Sequence, residues 1–90
     1  AVVTLTHDPK LDDPALEEAL KTDAFYIASL GSRKTHSKRL ERLREAGFNE
    51  NTLNRINGPA GLDIGAISPS EIAISILAEL TAVLHQKDLR

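Results

Sequence analysis

Two apolar runs without polar alternation constrain the fold of this chain more than any other feature. AVVTLT occupies residues 1–6 and AFYIASL occupies residues 24–30. Alternation of apolar and polar residues predicts a strand with one solvent-exposed face, whereas an unbroken apolar run predicts a strand buried on both faces. Such strands belong to parallel sheets, in which a crossover segment, usually a helix, joins successive strands. The two runs therefore predict an α/β fold.

The segments after the two runs carry helix signals. Asp13 stands directly before Pro14, which predicts a capped helix over PALEEALKT (14–22). Beyond the second run, Leu43 lies on the inward stripe of another predicted helix, which Gly47 ends in a left-handed turn. The order so far is strand, helix, strand, helix.

The next stretch combines a short helix with a shaped loop. Asn49 is placed to cap a helix over ENTLNRI (50–56). GPAGLDIGA (58–66) holds three glycines and a proline, so we expect a loop that approaches a ligand closely, with a brief strand at 62–64.

The last helix has the strongest start signal in the chain. Ser68 and Glu71 form a capping box around Pro69 at the first helical position. Its apolar stripe is predicted to be core, or an interface if a second chain completes the sheet. That stripe contains Ile72, Ala73, Ile76, Leu77, Leu80, Val83 and Leu84.

This order predicts a partial Rossmann-like, doubly wound α/β domain with parallel strands and flanking helices. Two strands cannot bury their own edges and faces, so we expect a missing N-terminal half or a second copy to complete the sheet. The chain also opens on a strand and contains no methionine. We therefore interpret residues 1–90 as a single half-domain of a longer protein.

Composition narrows the function classes. The formal net charge of −2 gives no overall attraction for nucleic acid or for an anionic membrane. The absence of cysteine excludes disulfides, thiolate metal sites and a cysteine nucleophile. The chain contains no apolar stretch of transmembrane length and its N-terminus does not resemble a signal peptide. We expect a soluble cytoplasmic protein that binds neither nucleic acid nor membrane.

The junction GSRKTH (31–36) is the strongest candidate binding site. Six of the eleven basic residues lie between residues 33 and 44, against the single acid Glu41. A helix start offers free N–H groups and a positive dipole end, and a preceding glycine lets an oxyanion approach the backbone. The guanidinium of Arg33 could add two parallel hydrogen bonds to a phosphate. These features favour a phosphate or another anionic cofactor group at residues 31–36.

A simpler interpretation stays open for the same residues. Ser32 is also placed to cap an exposed basic helix without binding any ligand. We favour ligand contact for Gly31, Ser32 and Arg33. For the later basic residues we favour solvated surface or the acidic face of a protein partner, and these are Lys38, Arg39, Arg42 and Arg44.

Other chemistry-bearing residues leave alternatives open. His7 and Asp8 follow the first strand and suit an acid–base pair or pocket lining, while Asp8 also suits a turn before Pro9. Asp63 is equally suited to accept a hydrogen bond from a ribose or pterin and to brace its loop. With three scattered histidines and no cysteine, we predict no metal site and no catalytic residue.

Three blocks of the sequence resemble a known family. LTHDPKLDDPAL, YIASLGSRKTHSKRLERLREAGF and GPAGLDIGAISPSEIAISILAEL are similar, in that order, to the C-terminal Rossmann-like domain of the XdhC/CoxI family. Members of that family are accessory proteins of xanthine and carbon monoxide dehydrogenases. The resemblance covers nearly the whole chain and implies that the first half of a Rossmann-type domain precedes this segment.

The resemblance implies a chaperone rather than an enzyme. Such a protein binds the molybdenum cofactor (molybdopterin), protects it while a terminal sulfur is installed, and delivers it to a xanthine dehydrogenase-like molybdenum hydroxylase. It also implies a homo-oligomer and admits a cysteine desulfurase as a further partner. The positions that the resemblance places around the cofactor are Gly31, Ser32, Arg33, Thr35, His36, His7, Asp8, Gly61 and Asp63.

Two other functions remain as alternatives. One is an NAD(P)-binding oxidoreductase fragment, although no G-x-G-x-x-G fingerprint occurs in this chain. The other is a structural module for dimerisation or for docking on the target enzyme, with the basic helix as its docking face.

Overall fold

A three-stranded parallel sheet forms the centre of the computed structural model, which describes residues 1–6 and 8–85. Strand β1 (Val2–Thr4) pairs with β2 (Ile27–Ser29), and β2 pairs with β3 (Ile56–Asn57). The spatial order β1-β2-β3 follows the chain. The predicted α/β class with parallel strands and flanking helices is confirmed.

The helices are α1 (Pro9–Leu20), α2 (Arg33–Glu45), α3 (Glu50–Leu53) and α4 (Pro69–Leu84). Helices α1 and α2 cover one face of the sheet, where Ile27 of β2 belongs to a continuous apolar core. Burial of such side chains is the main favourable contribution to folding. The core consists of Leu16, Ala19, Leu20, Ile27, Leu43, Leu53 and Ile56.

Helix α4 is bonded to the residue before β2 and to the loop 58–66. Successive side chains of a strand point to opposite faces, so Tyr26 points away from the core that holds Ile27. The hydroxyl of Tyr26 donates to Oε1 of Glu79 on α4. Ser75 and Ala82 are the buried residues of this helix. Ala73, Leu77 and Leu84 of the predicted stripe are exposed, so they do not belong to the core of this chain, and the alternative of an interface stays a prediction for them.

Local capping signals set two of the helix ends as predicted, the start of α4 and the end of α2. The hydroxyl of Ser68 accepts from the N–H of Glu71, whose carboxylate accepts in return from the N–H of Ser68. Gly47 adopts a φ of 103° after α2, and the N–H of Phe48 donates to the Leu43 carbonyl. Each signal satisfies backbone groups that a helix end leaves open.

The start of α1 differs from the prediction. The helix begins at Pro9, with Asp8 as its cap, so Pro14 lies inside it. Pro14 removes one backbone hydrogen bond from the helix. The extra turn places the carboxylate of Asp12 where it accepts from the hydroxyl of Thr6 at 2.7 Å. This part-buried contact ties the loop after β1 to the first turns of α1.

The third strand was also missed by the sequence prediction. The helix expected to continue over residues 50–56 ends at Leu53, because Ile56 enters the core and Asn57 pairs with β2. The side chain of Asn57 donates to the carbonyl of Ile27 at 3.0 Å. Residues 62–64, where a strand was expected, are loop. A strand of two residues is too short to show a periodic pattern.

Among the described residues, none of the helices has the length and hydropathy needed to cross a membrane.

Candidate functional site

A cleft of about 740 Å³ opens at the carboxyl end of β2. One wall is the junction between β2 and α2, and the other is the loop 58–66, with the first turns of α4 between them. Ligands of open α/β sheets bind at this end of the strands. The cleft is lined by Leu30, Gly31, Arg33, His36, Ser37, Gly58, Pro59, Ala60, Gly61, Leu62, Asp63, Ile64, Gly65, Ala66, Ile72 and Ser75.

The structure brings five of the nine predicted site residues to this cleft. They are Gly31, Arg33, His36, Gly61 and Asp63. These residues come from two segments that lie 25 positions or more apart in the sequence, so their convergence depends on the fold. The assignment of all five to ligand binding stays a prediction.

Three of the other four predicted residues, Ser32, Thr35 and Asp8, do not line this cleft. The hydroxyl of Ser32 accepts from the N–H of Thr35 and bonds to its hydroxyl at 3.0 Å, so Ser32 is the cap of α2. Thr35 borders a smaller cavity of about 170 Å³ between α1 and α2. Asp8 accepts from the N–H of Lys10 and caps α1. His7 lies outside the described residues.

The basic segment is largely neutralised within the fold. Arg42 binds Asp13 through two hydrogen bonds, and Arg44 binds Glu50 in the same forked manner. Arg39 is only 2% exposed, so the prediction of a solvated or partner-facing side chain is wrong for this residue.

Three basic residues of the segment keep an uncompensated charge. Arg33, Lys34 and Lys38 form no ion pair with the residues that the structure describes. Arg33 alone among them lines the cleft. The positive potential that remains for a ligand is therefore concentrated at the first residue of α2.

His36 contacts both Arg39 and the backbone at Gly58. Nη1 of Arg39 lies 2.9 Å from Nδ1 of His36. An added Cβ at Gly58 would lie only 2.2 Å from the same Nδ1, so the imidazole occupies the space that any larger residue would need. Burial, with the positive charge of Arg39, lowers the pKa of His36 from its ordinary value of 6.5. His36 is therefore neutral at pH 7.

The loop 58–66 is bonded to the elements beneath it. The N–H of Ala60 donates to the Ser29 carbonyl at the end of β2, and the N–H of Leu62 donates to the Ser75 carbonyl of α4. The N–H of Gly61 donates to Oε1 of Glu79 at 3.1 Å. The fold therefore supplies this wall of the cleft in a preformed state.

Gly61 is required by the close approach of this loop to α4. Its φ is 96°, and an added Cβ would lie 2.3 Å from the hydroxyl oxygen of Ser75. A side chain there would push the loop off the helix and open the cleft.

The sequence analysis did not identify the residues that support the walls of the cleft through hydrogen bonds. Glu79 accepts from both Gly61 and Tyr26, and burial together with this carboxylate raises the pKa of Tyr26 well above its ordinary value. Arg39 acts similarly behind His36. The available signals were an acid in the middle of a largely apolar helix and the only tyrosine of the chain within an apolar run.

The described residues contain no group of three or more His, Asp or Glu side chains placed to hold a metal ion.

The lowered pKa of His36 predicts a pH dependence of stability. As pH falls below 6.5, the unfolded chain takes up the proton first, so the free energy of unfolding decreases until the folded protein also protonates. Arg39 of α2 contacts this ring, and the charged groups that line the same cleft are Arg33 of α2 and Asp63 of the loop. We expect His36→Gln to flatten the dependence between about pH 5 and pH 7 relative to the wild type.

Urea denaturation at several pH values measures this difference. The prediction would be contradicted if the free energy of unfolding varied with pH in the same way for the wild type and for His36→Gln.

Comparisons with known proteins agree with the predicted resemblance. The family described as the XdhC Rossmann domain matches residues 1–80. The chain is 37% identical over 89 residues to the molybdenum cofactor insertion chaperone PaoD of Escherichia coli (strain K12). This match covers 98% of this chain and 28% of PaoD. It is 39% identical over 72 residues to the uncharacterized protein YqeB of the same organism, covering 80% of this chain and 13% of YqeB.

A solved structure extends the comparison to the fold. The crystal structure of a Bacillus halodurans protein described as a xanthine dehydrogenase matches with a TM-score of 0.71 and 31% identity. The match covers 97% of this chain and 24% of that one. The chain thus spans between 13% and 28% of the length of the proteins it matches. On the family match and the identity to PaoD, this chain belongs to the XdhC family and forms its Rossmann domain.

Proposed function

We propose that this domain holds the molybdenum cofactor in the cleft at the end of β2, as part of a maturation factor that delivers the cofactor to a molybdenum hydroxylase. The observation that carries the proposal is the meeting of Arg33, neutral His36 and the backbone of loop 58–66 in one cleft. The name of the relative PaoD supports the cofactor, and the name of the Bacillus halodurans protein supports the type of target.

The cleft suits a ligand of this size and polarity. Its volume of about 740 Å³ lies within the range of about 300–1,000 Å³ that small-molecule sites occupy. Apolar side chains and glycine backbone form most of its lining, with a few polar groups among them. Sites of this composition bind the flat body of a ligand by contact and orient it through a few hydrogen bonds.

Arg33 is the group that recognises the anionic end. Its guanidinium has no ion pair among the described residues and forms a planar fork that matches a phosphate. Ser32 satisfies the N–H of Thr35, which leaves the N–H groups of Arg33 and Lys34 without a partner in the described part of the chain. The positive end of the α2 dipole adds to the attraction.

Polar groups from both walls orient the rest of the ligand. Neutral His36 offers a hydrogen bond without adding a charge, and the exposed carboxylate of Asp63 accepts from an N–H group such as those of a pterin. When bound, the cofactor carries the molybdenum centre that the target enzyme uses. The domain itself binds, orients and shields it, and no turnover is assigned to this chain.

We expect Arg33→Ala to weaken cofactor binding about tenfold or more, since a hydrogen bond between charged groups contributes roughly 1.5–3 kcal/mol. Lys34→Ala is the matched control, because Lys34 is an exposed neighbour of equal charge that does not line the cleft. The control should change the affinity by about twofold at most through screened long-range attraction.

The measurement is fluorescence or calorimetric titration of the natural full-length protein with molybdenum cofactor released from a purified molybdenum hydroxylase. NAD⁺ and NADPH are titrated in parallel. Equal losses for the two variants would contradict the role of Arg33. Tighter binding of a dinucleotide than of the molybdenum cofactor would replace the proposed function by that of an oxidoreductase.

A further inference from the structure

We propose that Arg39 is a positioning residue, whose buried guanidinium holds His36 in the Nε2–H tautomer so that this N–H serves as a hydrogen-bond donor in the cleft. The ligand atom it would meet is an oxygen acceptor of the bound cofactor. This inference rests on the proposed function for the ligand and on the structure alone for the tautomer.

The contact between the two side chains determines the tautomer. An arginine side chain has five N–H donors, no acceptor, and a charge that it keeps in proteins. Because Nη1 of Arg39 lies 2.9 Å from Nδ1 of His36, Nδ1 must present its lone pair. The proton of the neutral imidazole is then on Nε2, on a side chain that lines the cleft.

Arg39 is itself anchored to the sheet. Its Nη2 donates to the carbonyl of Leu30 at 3.0 Å, at the residue that follows β2. One planar group therefore joins the end of the central strand to His36. A lysine at position 39 would keep the charge but could not bridge both acceptors with the same geometry.

The charge of Arg39 is balanced from α1. Asp12 and Asp13 attract the guanidinium, and Asp12 is only 4% exposed. The hydroxyl of Thr6 donates to Asp12 at 2.7 Å. A polar network thus runs from the end of β1, through α1, to the cleft. Networks of this kind are costly to build, so a function in orienting His36 gives a reason for its presence.

The backbone at Gly58 also lies against the ring, since an added Cβ there would come within 2.2 Å of Nδ1. His36 is therefore held both by Arg39 and by the loop that forms the opposite wall of the cleft. Mobility is removed from the donor before a ligand arrives, which reduces the entropy lost on binding.

The first test needs no variant. Nitrogen-15 NMR of the imidazole side chains in the natural full-length protein at pH 7 should show His36 with Nδ1 unprotonated and Nε2 protonated. His85, an exposed residue at the end of α4, serves as the internal reference for an unconstrained ring. His36→Gln identifies the signal. A protonated Nδ1 or a mixture of tautomers at His36 would overturn the proposal.

The second test is a double-mutant cycle on cofactor binding. Arg39→Lys, which keeps a charge beside Asp12, and His36→Phe, which removes the donor, should each weaken binding about tenfold, the loss of one good hydrogen bond. The two changes together should cost no more than either alone, because Arg39 acts through His36. His36→Gln, which retains a side-chain N–H, should restore part of the affinity.

Additive losses in this cycle would overturn the positioning role, since Arg39 would then act independently of His36. Unchanged affinity in Arg39→Lys with a lost Nε2–H tautomer would overturn the donor role of His36. If the wild type fails to bind the cofactor, the proposed function fails, while the NMR result still decides whether Arg39 sets the tautomer.

Discussion

Replacing Gly58 by alanine is expected to lower the free energy of unfolding by about 2 kcal/mol, as overpacking of a filled site does. The added Cβ would lie 2.2 Å from Nδ1 and 2.6 Å from Cγ of His36. The ring cannot swing away without losing its bond to Arg39, so the loop must move instead. Urea denaturation measures the loss, and the cleft should lose ligand affinity in parallel.

The control is the same substitution in a His36→Ala background. Without the imidazole, the space beside Gly58 is open, and Gly58→Ala should then have an effect near zero. An equal destabilisation in both backgrounds would show that a backbone effect, and not the His36 contact, explains the requirement for glycine.

Replacing Glu79 by alanine is expected to destabilise the protein by about 3 kcal/mol, because it leaves two donors without an acceptor. Oε1 of Glu79 accepts from the hydroxyl of Tyr26 at 2.6 Å and from the N–H of Gly61 at 3.1 Å. Tyr26 is 1% exposed, so water cannot replace the lost bond at its hydroxyl. Besides denaturation, hydrogen exchange should show a faster-exchanging Gly61 amide.

A cycle with Tyr26→Phe separates the two bonds. In the Tyr26→Phe background, Glu79→Ala should lower the free energy of unfolding by less, since only the N–H of Gly61 then loses its acceptor. Glu45→Ala, at an exposed position of α2, is the matched control and should change stability by about 0.5 kcal/mol or less. Equal losses for Glu79→Ala and Glu45→Ala would contradict the bridging role.

These two predictions concern residues that the sequence alone did not single out. The predicted β2 run, the end of α2 at Gly47 and the capping box at Ser68 and Glu71 were readable because each depends on neighbours within a few positions. The prediction of an anion site also depended only on residues that are neighbours in the sequence. It identified Gly31 and Arg33, which line the cleft, from the composition of one junction.

The errors occurred where distant contacts outweigh local preference. Two Asp-Pro pairs carry the same cap signal, and the pair at Asp8 begins the helix because Asp12 then reaches Thr6. Ile56 belongs to β3 and not to the predicted helix, because it pairs with β2 and packs in the core. Arg39 looks identical to its basic neighbours in sequence, yet it is buried because α1 supplies Asp12 and Asp13.

The sequence by itself determined the α/β class, the position of two strands, the end of α2 at Gly47 and the family of this chain. Periodicity, caps and ordered motifs are local properties, and a chain displays them before it folds. The tertiary structure decided which residues share the cleft, that Ser32 caps α2 while Arg33 forms no ion pair with the described residues, and that Arg39 and Glu79 support the two walls. Those outcomes depend on side-chain contacts between segments far apart in the chain, which form only when helices pack on the sheet.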